Sequence, residues 1–185
     1  MELDIYIEKT RELAIYPDDY ERDYVIHGLV DELGELRETL DNPPMESGLT
    51  TEKMSTEHVQ KIEEEMGDVT WYLARAIDHF GFDFADYWNN YSASEGTISP
   101  EKGEELIQEA LLSAARINGH QKKSVRDDDN RKEQIQRELS EIVRNLRKAS
   151  HHFGLRDLDV VTRRNLEKLF DRKERNVLHG DGNSR

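Results

Sequence analysis

The sequence predicts an all-α fold, a helical bundle, on three observations. Apolar residues recur at helical spacing through most of the chain. No alternating stretch long enough for a strand appears. The breaks between periodic segments fall at Pro, Gly or polar clusters: NPP (42–44), HFG (79–81), GTISP (96–100), RDDDN (126–130) and a second HFG (152–154).

The periodic segments lie near 2–14, 24–41, 57–80, 101–120, 130–152 and 157–175. The fourth has the clearest start, because SPEKGEE puts Ser99 at an N-cap and Pro100 at the first helical position. The tail HGDGNSR is rich in Gly and reads as irregular. Comparing the two HFG ends pairs two helices. EMGDVTWYLARAIDHFGF (65–82) lies over ELSEIVRNLRKASHHFGL (138–155), so that Glu65 meets Glu138, Asp68 meets Glu141 and Leu73 meets Leu146. This favours a degenerate internal duplication. One all-α domain over 1–185 would then hold unit one (1–95) and unit two (96–185), two four-helix-type units packed as an intrachain pseudo-dimer.

Composition narrows the function. The chain has 185 residues, enough to bury a sizeable core, with 35% hydrophobic and 36% charged residues. A net charge of −14 argues against a bulk nucleic-acid binder, which carries a basic face. It leaves room for an anionic small substrate where a metal and a few cations invert the local field. Cysteine is missing, so disulfides and thiolate metal sites are excluded. MELDIYIEKT has no basic-then-apolar leader pattern, and no apolar run of about 18 residues occurs, so a cytoplasmic protein with no membrane span is expected.

Two acid pairs carry the strongest chemical signal: Glu32 and Glu35 in DELGEL, and Glu65 and Asp68 in EEMGDV. Each pair is spaced i, i+3 and so shares one helix face. At about 100° per residue, Glu32 and Glu35 flank the stripe Leu29, Leu33, Leu36 and Leu40. Glu65 and Asp68 flank the stripe Met66, Val69, Leu73, Ala76 and Phe80 on the same side. Antiparallel packing along the stripes, across the 42–56 connection, would bring four carboxylates together. Such carboxylates repel unless a cation sits among them, and an all-oxygen set suits Mg²⁺ or Mn²⁺. A di-iron bundle wants Glu-x-x-His pairs, and no His follows a Glu by three here. The bland alternative is a solvated acidic face.

The setting GLVDELGEL…EEEMGDVTWYLA resembles the MazG-like nucleoside triphosphate pyrophosphohydrolases of the all-α NTP pyrophosphatase superfamily. AIYP (14–17) and NLEKLFDRKERNVLHGDGNSR (165–185) are similar to segments of the same family. The resemblance implies Mg²⁺-dependent cleavage of a nucleoside triphosphate between its α- and β-phosphates, giving a nucleoside monophosphate and pyrophosphate. It implies Glu32, Glu35, Glu65 and Asp68 as metal ligands. One of these carboxylates, Glu35 being the one offered, would accept the proton of the attacking water, and spacing does not choose among them. The resemblance implies Asn165, Lys168, Arg172 and Arg175 as phosphate binders, a task suited to Lys and Arg, and a possible homodimer. ALLSAARI (110–117) lacks a Glu-x-x-Glu, and FDFADYWNNYSAS lacks the Asn-x-x-Lys pattern. The halves therefore read as complementary, giving one composite site. A dUTPase-like or phosphoribosyl-ATP-hydrolysing member of the superfamily is the near alternative. An inactive helical interaction module is the distant one.

Other residues weigh toward structure. His79 and His152 read as helix C-terminal caps, and Trp71 and Tyr72 as packing residues. Trp88 and Tyr91 read as core rather than base-stacking rings, and RDDDN as a loop with a helix cap. Tyr16 lines the nucleotide pocket by family analogy alone.

Overall fold

In the computed structural model the described residues are 2–43, 54–83, 88, 98–155 and 158–178. Tyr91, the 179–185 tail and most of the 42–56 connection lie outside them. The described residues form six full α-helices: α1 (Leu3–Leu13), α2 (Glu21–Asp41), α3 (Thr56–Phe80), α4 (Pro100–Asp127), α5 (Lys132–His152) and α6 (Leu158–Glu174). No strand occurs among the described residues, and none of their helices is long and apolar enough to cross a membrane.

The helices pack as two hairpins. Thr39 C=O of α2 meets His58 Nε2 of α3 at 2.9 Å, and Glu21 meets His79 at the other end, so α2 and α3 run antiparallel. The same holds for α4 and α5, where Gly103 abuts the Phe153 ring and Arg116 bridges Glu138. Packing α2 on α4 and α3 on α5 closes a four-helix core, while α1 and α6 lie against α3 and each other. One apolar cluster runs through all six helices. Leu29, Leu33 and Leu36 of α2, Met66, Val69 and Leu73 of α3, and Leu139, Ile142 and Leu146 of α5 are fully buried.

Two boundaries differ from the sequence expectation by more than two residues. A short 3₁₀ turn at Asp18–Tyr20 leads into α2, which starts at Glu21 instead of 24. Acidic Asp18, Asp19, Glu21 and Asp23 favour a helix start without adding apolar periodicity. Helix α4 runs past Gly119 to Asp127, because Gln121 continues its buried face, and ends where Asp128 turns left-handed at φ 48°. Ser99 caps α4 as expected, accepting from Lys102 N, with Pro100 opening the helix. In the RDDDN loop Asn130 Oδ1 accepts from Lys132 N.

The two HFG ends have the same geometry. Gly81 and Gly154 both adopt positive φ, 63° and 72°, which glycine reaches without a Cβ clash. Phe82 N reaches back to Ile77 C=O and Leu155 N to Ser150 C=O, the same crossing bond in each turn. His79 sits in the last turn of α3 with Nδ1 2.9 Å from Glu21 Oε2, so its partner is a carboxylate as well as the helix end. Trp88 is fully buried, stacked on Tyr6 with its ring centroid 6.0 Å away and covered by the Arg147 guanidinium.

Candidate metal centre

Antiparallel packing of α2 on α3 brings the flanking acids to one seam. Glu32, Glu65 and Asp68 each offer a carboxylate oxygen within 4.8 Å of the others. Glu65 is 9% exposed, while Glu32 and Asp68 are half-buried. Their charges are costly there. Burial, then the charges of Asp68, Glu35 and Glu65, push the Glu32 carboxyl up to about 8 against the pull of Lys168. Burial and the neighbouring Asp68 and Glu35 push Glu65 up to about 7. Without a cation, two of the acids therefore hold protons near neutral pH.

Helix α6 supplies the facing polar groups. Lys168 Nζ lies 2.6 and 2.8 Å from the two oxygens of Asp68, and Asn165 Nδ2 donates to Asp68 Oδ1 at 2.8 Å. Nearby, Arg164 binds Glu63, tying α6 to α3 a second time. The close approach depends on Gly67, since a Cβ there would lie 3.0 Å from the Asn165 side chain. Asn165 Oδ1 is buried without a hydrogen-bond partner.

Five of the eight sequence-derived site residues thus meet: Glu32, Glu65, Asp68, Asn165 and Lys168. Glu35 stands outside the trio, one turn further along α2. It still feels Asp68, and burial, then Asp31 and Asp68, raise its carboxyl above the usual range. It lines a groove of about 610 Å³ with Tyr24, Gly28, Tyr72 and Asn118. A second groove of about 580 Å³ lies between α3 and α6, lined by Glu63, Arg164, Asn165 and Lys168 among others. Past Lys168 on α6, Arg172 is buried, and exposed Arg175 bridges Asp171.

Periodicity did not reveal the network beside this site. Arg75 is 4% exposed and donates to Tyr16 Oη at 2.8 Å and to Asp78 at 2.6 Å, and it also binds Glu21. Burial works against the Glu21 carboxylate, but His79, Arg75 and Tyr16 together hold it below its usual value. Tyr16 is thereby a structural residue whose ring packs on Tyr24 at 4.6 Å and Trp71 at 6.3 Å. The sequence signal was Arg75 inside the apolar run LARAI, a charge that needs buried partners.

The trio fits a hard divalent cation. Its donors are all carboxylate oxygens, and around Mg²⁺, with ligands at about 2.1 Å, opposite oxygens stand about 4 Å apart. A 4.8 Å spread closes onto such an ion by small side-chain movement. The fold and the site together define an all-helical protein with a carboxylate trio and a facing Lys–Asn pair. No protein-family model matches the chain, and no curated protein or solved structure matches it.

Proposed function

We propose that the chain is a MazG-like, Mg²⁺-dependent nucleoside triphosphate pyrophosphohydrolase that yields a nucleoside monophosphate and pyrophosphate. One observation carries the reading. Asn165 and Lys168, which the resemblance assigns to phosphates, touch Asp68 of the acid trio from a helix far along the chain. A composite site with acids from α2 and α3 and phosphate binders from α6 follows. The congruent HFG turns support the duplicated, pseudo-dimeric origin of the two hairpins.

In this proposal Glu32, Glu65 and Asp68 would hold Mg²⁺, or Mn²⁺ in its place. The ion supplies neutralisation of the phosphate oxygens and orientation of the phosphate chain. Once the acids are neutralised, Lys168 exchanges Asp68 for a phosphate oxygen, and Asn165 keeps Asp68 in place. Glu35, at the edge of the trio and elevated in basicity, accepts the proton of the water that attacks the α-phosphorus. The α-phosphorus gains that oxygen, its bond to the bridging oxygen breaks, and pyrophosphate leaves. Arg172 lies further along the same helix and Arg175 just past its end, for the distal phosphates. The base pocket decides between a general enzyme and the dUTPase-like or phosphoribosyl-ATP-hydrolysing alternatives.

A second reading rests on the Lys168–Asp68 pair itself. A lysine that already neutralises part of the trio suits an inactive helical interaction module that needs no metal. Pyrophosphate release from a panel of NTPs and dNTPs, with and without Mg²⁺, separates the two. The enzyme reading expects Mg²⁺-dependent release with one monophosphate per pyrophosphate. No release from any nucleotide, together with no Mg²⁺-induced rise in melting temperature, overturns it. If Lys168→Ala leaves KM and kcat unchanged, the composite site is wrong.

A further inference from the structure

A second polar pocket lies at the end of the bundle away from the trio. The first turn of α2, the last turn of α3, the end of α4 and the start of α5 enclose about 250 Å³. His79 follows Asp68 by eleven residues on α3, which separates the two sites by about 16 Å along the helix.

The lining is cationic in a chain of net charge −14. Arg22, His79, Arg131 and Lys132 contribute to it, and no carboxylate does. Carboxylates nearby engage some of these groups from outside. Arg22 reaches Asp23 at 3.3 Å, Arg131 reaches Asp129 at 2.8 Å, and His79 Nδ1 faces Glu21. Arg131 Nε nevertheless stays buried without a partner. Lys132 Nζ rests over the Phe82 ring at 5.3 Å. Gln121, 8% exposed, also lines the pocket, and its Nε2 has no hydrogen-bond acceptor.

Helix dipoles account for part of this arrangement only. His79 stands at a helix C-terminus, where a cation is favourable. Arg131 and Lys132 stand at the start of α5, where a cation is unfavourable; of the first-turn backbone N–H groups there, that of Lys132 is already taken by Asn130 Oδ1. Arg131, the N-cap, makes no side-chain capping bond. An oxyanion in the pocket would offset the two misplaced cations and give the buried Gln121 amide its acceptor.

We propose that this pocket is a phosphate-binding site, separate from the acid trio, that takes a small phosphate anion of orthophosphate or pyrophosphate size. The site is independent of the hydrolase reading, because none of its residues belongs to the trio or to the Asn165–Lys168 pair.

The test is isothermal titration of the full chain, stripped of divalent ions on a chelating resin, with sodium pyrophosphate and separately with orthophosphate and AMP. Without divalent ions Lys168 stays paired with Asp68, and the Lys168→Ala variant controls for binding beside the trio, so the binding that survives in it reports the second pocket. Wild type is expected to bind pyrophosphate at one site. Arg22→Ala combined with Lys132→Ala, both exposed positions, is expected to weaken that binding about tenfold with the circular dichroism unchanged. Gln121→Leu is expected to weaken it several-fold, and Lys168→Ala to leave it unaltered. AMP binding as tightly as orthophosphate assigns the pocket to the phosphate group of a nucleotide. AMP exclusion assigns it to the free anion. Absence of binding at about 10 mM pyrophosphate overturns the proposal, as does equal binding by the double variant or a loss in Lys168→Ala.

Discussion

The two helix hairpins carry the same acidic face and compensate it differently. On α3, Glu65 and Asp68 look across at another acid, Glu32 of α2. On α5 the matching residues are Glu138 and Glu141. Glu138 is met by Arg116 of the facing α4 at 3.5 Å, and Glu141 pairs with Arg144 of its own helix. In the second hairpin, then, each acid has a nearby cation and the face is electrostatically closed. In the first, the three acids face one another and the lysine that arrives from α6 bonds Asp68. The difference shows how one face of a helix becomes either a set of ion pairs or a cluster of facing acids.

The largest expected effect tests that asymmetry directly. Asp68→Asn removes one trio carboxylate and the negative charge that Lys168 pairs with, and should lower the proposed Mg²⁺-dependent hydrolysis by roughly 100-fold or more. Glu141→Gln, its counterpart, should stay within about twofold of wild type. Steady-state kinetics of the two variants side by side would break the comparison if the losses were equal. A smaller effect follows from the residue between the acids. Gly67 leaves space for Asn165, whereas its counterpart Ser140 carries a side chain that donates to Gln136 C=O. Gly67→Ala places a methyl 3.0 Å from Asn165 and should raise KM several-fold by displacing α6, while Ser140→Ala should not change it.

Much of this was legible in the sequence, for a local reason. Helix stripes depend on neighbours three and four residues apart, so α1 to α6 and the matched phase of Glu32 and Glu65 could be read directly. The distinction between Glu32 and Glu35 could not, because both flank the same stripe and only the crossing of α3 selects one. The meeting of Asn165 and Lys168 with Asp68 was reached through family resemblance, since no spacing rule joins residues so far apart. Arg75 inside LARAI signals a buried charge, but its partners and the basic pocket were not legible. Arg22, His79, Gln121 and Lys132 come from four helices and share only the end of the bundle.

The next effect is on stability against pH. Glu32 and Glu65 hold protons in the folded chain up to about 8 and about 7, where an unfolded carboxyl has already released them. Folded chain therefore binds more protons than unfolded chain above the ordinary carboxyl range, and stability falls as pH rises from about 5 to 8. Metal-free protein should lose several degrees of melting temperature over that window, and Mg²⁺ should restore more at pH 8 than at pH 6. A flat metal-free profile with no Mg²⁺ response would remove the electrostatic cost assigned to the first hairpin.

The smallest effect comes from trying to convert one hairpin into the other. Arg116→Glu puts a carboxylate opposite Glu138, reproducing on α4 and α5 the acid-against-acid contact of α2 and α3. Arg116 is half-exposed, so solvent screens the new repulsion to about 1 kcal/mol, a melting shift of about 2–4 °C. Mg²⁺ should recover none of that loss, because α6 packs against α3 with its Lys–Asn pair on Asp68 and brings no such pair to Glu141. Recovery would show that two facing acid pairs suffice for a cation site. Its absence would locate the distinction in α6, making the third helix as necessary to the first hairpin's site as the carboxylates themselves.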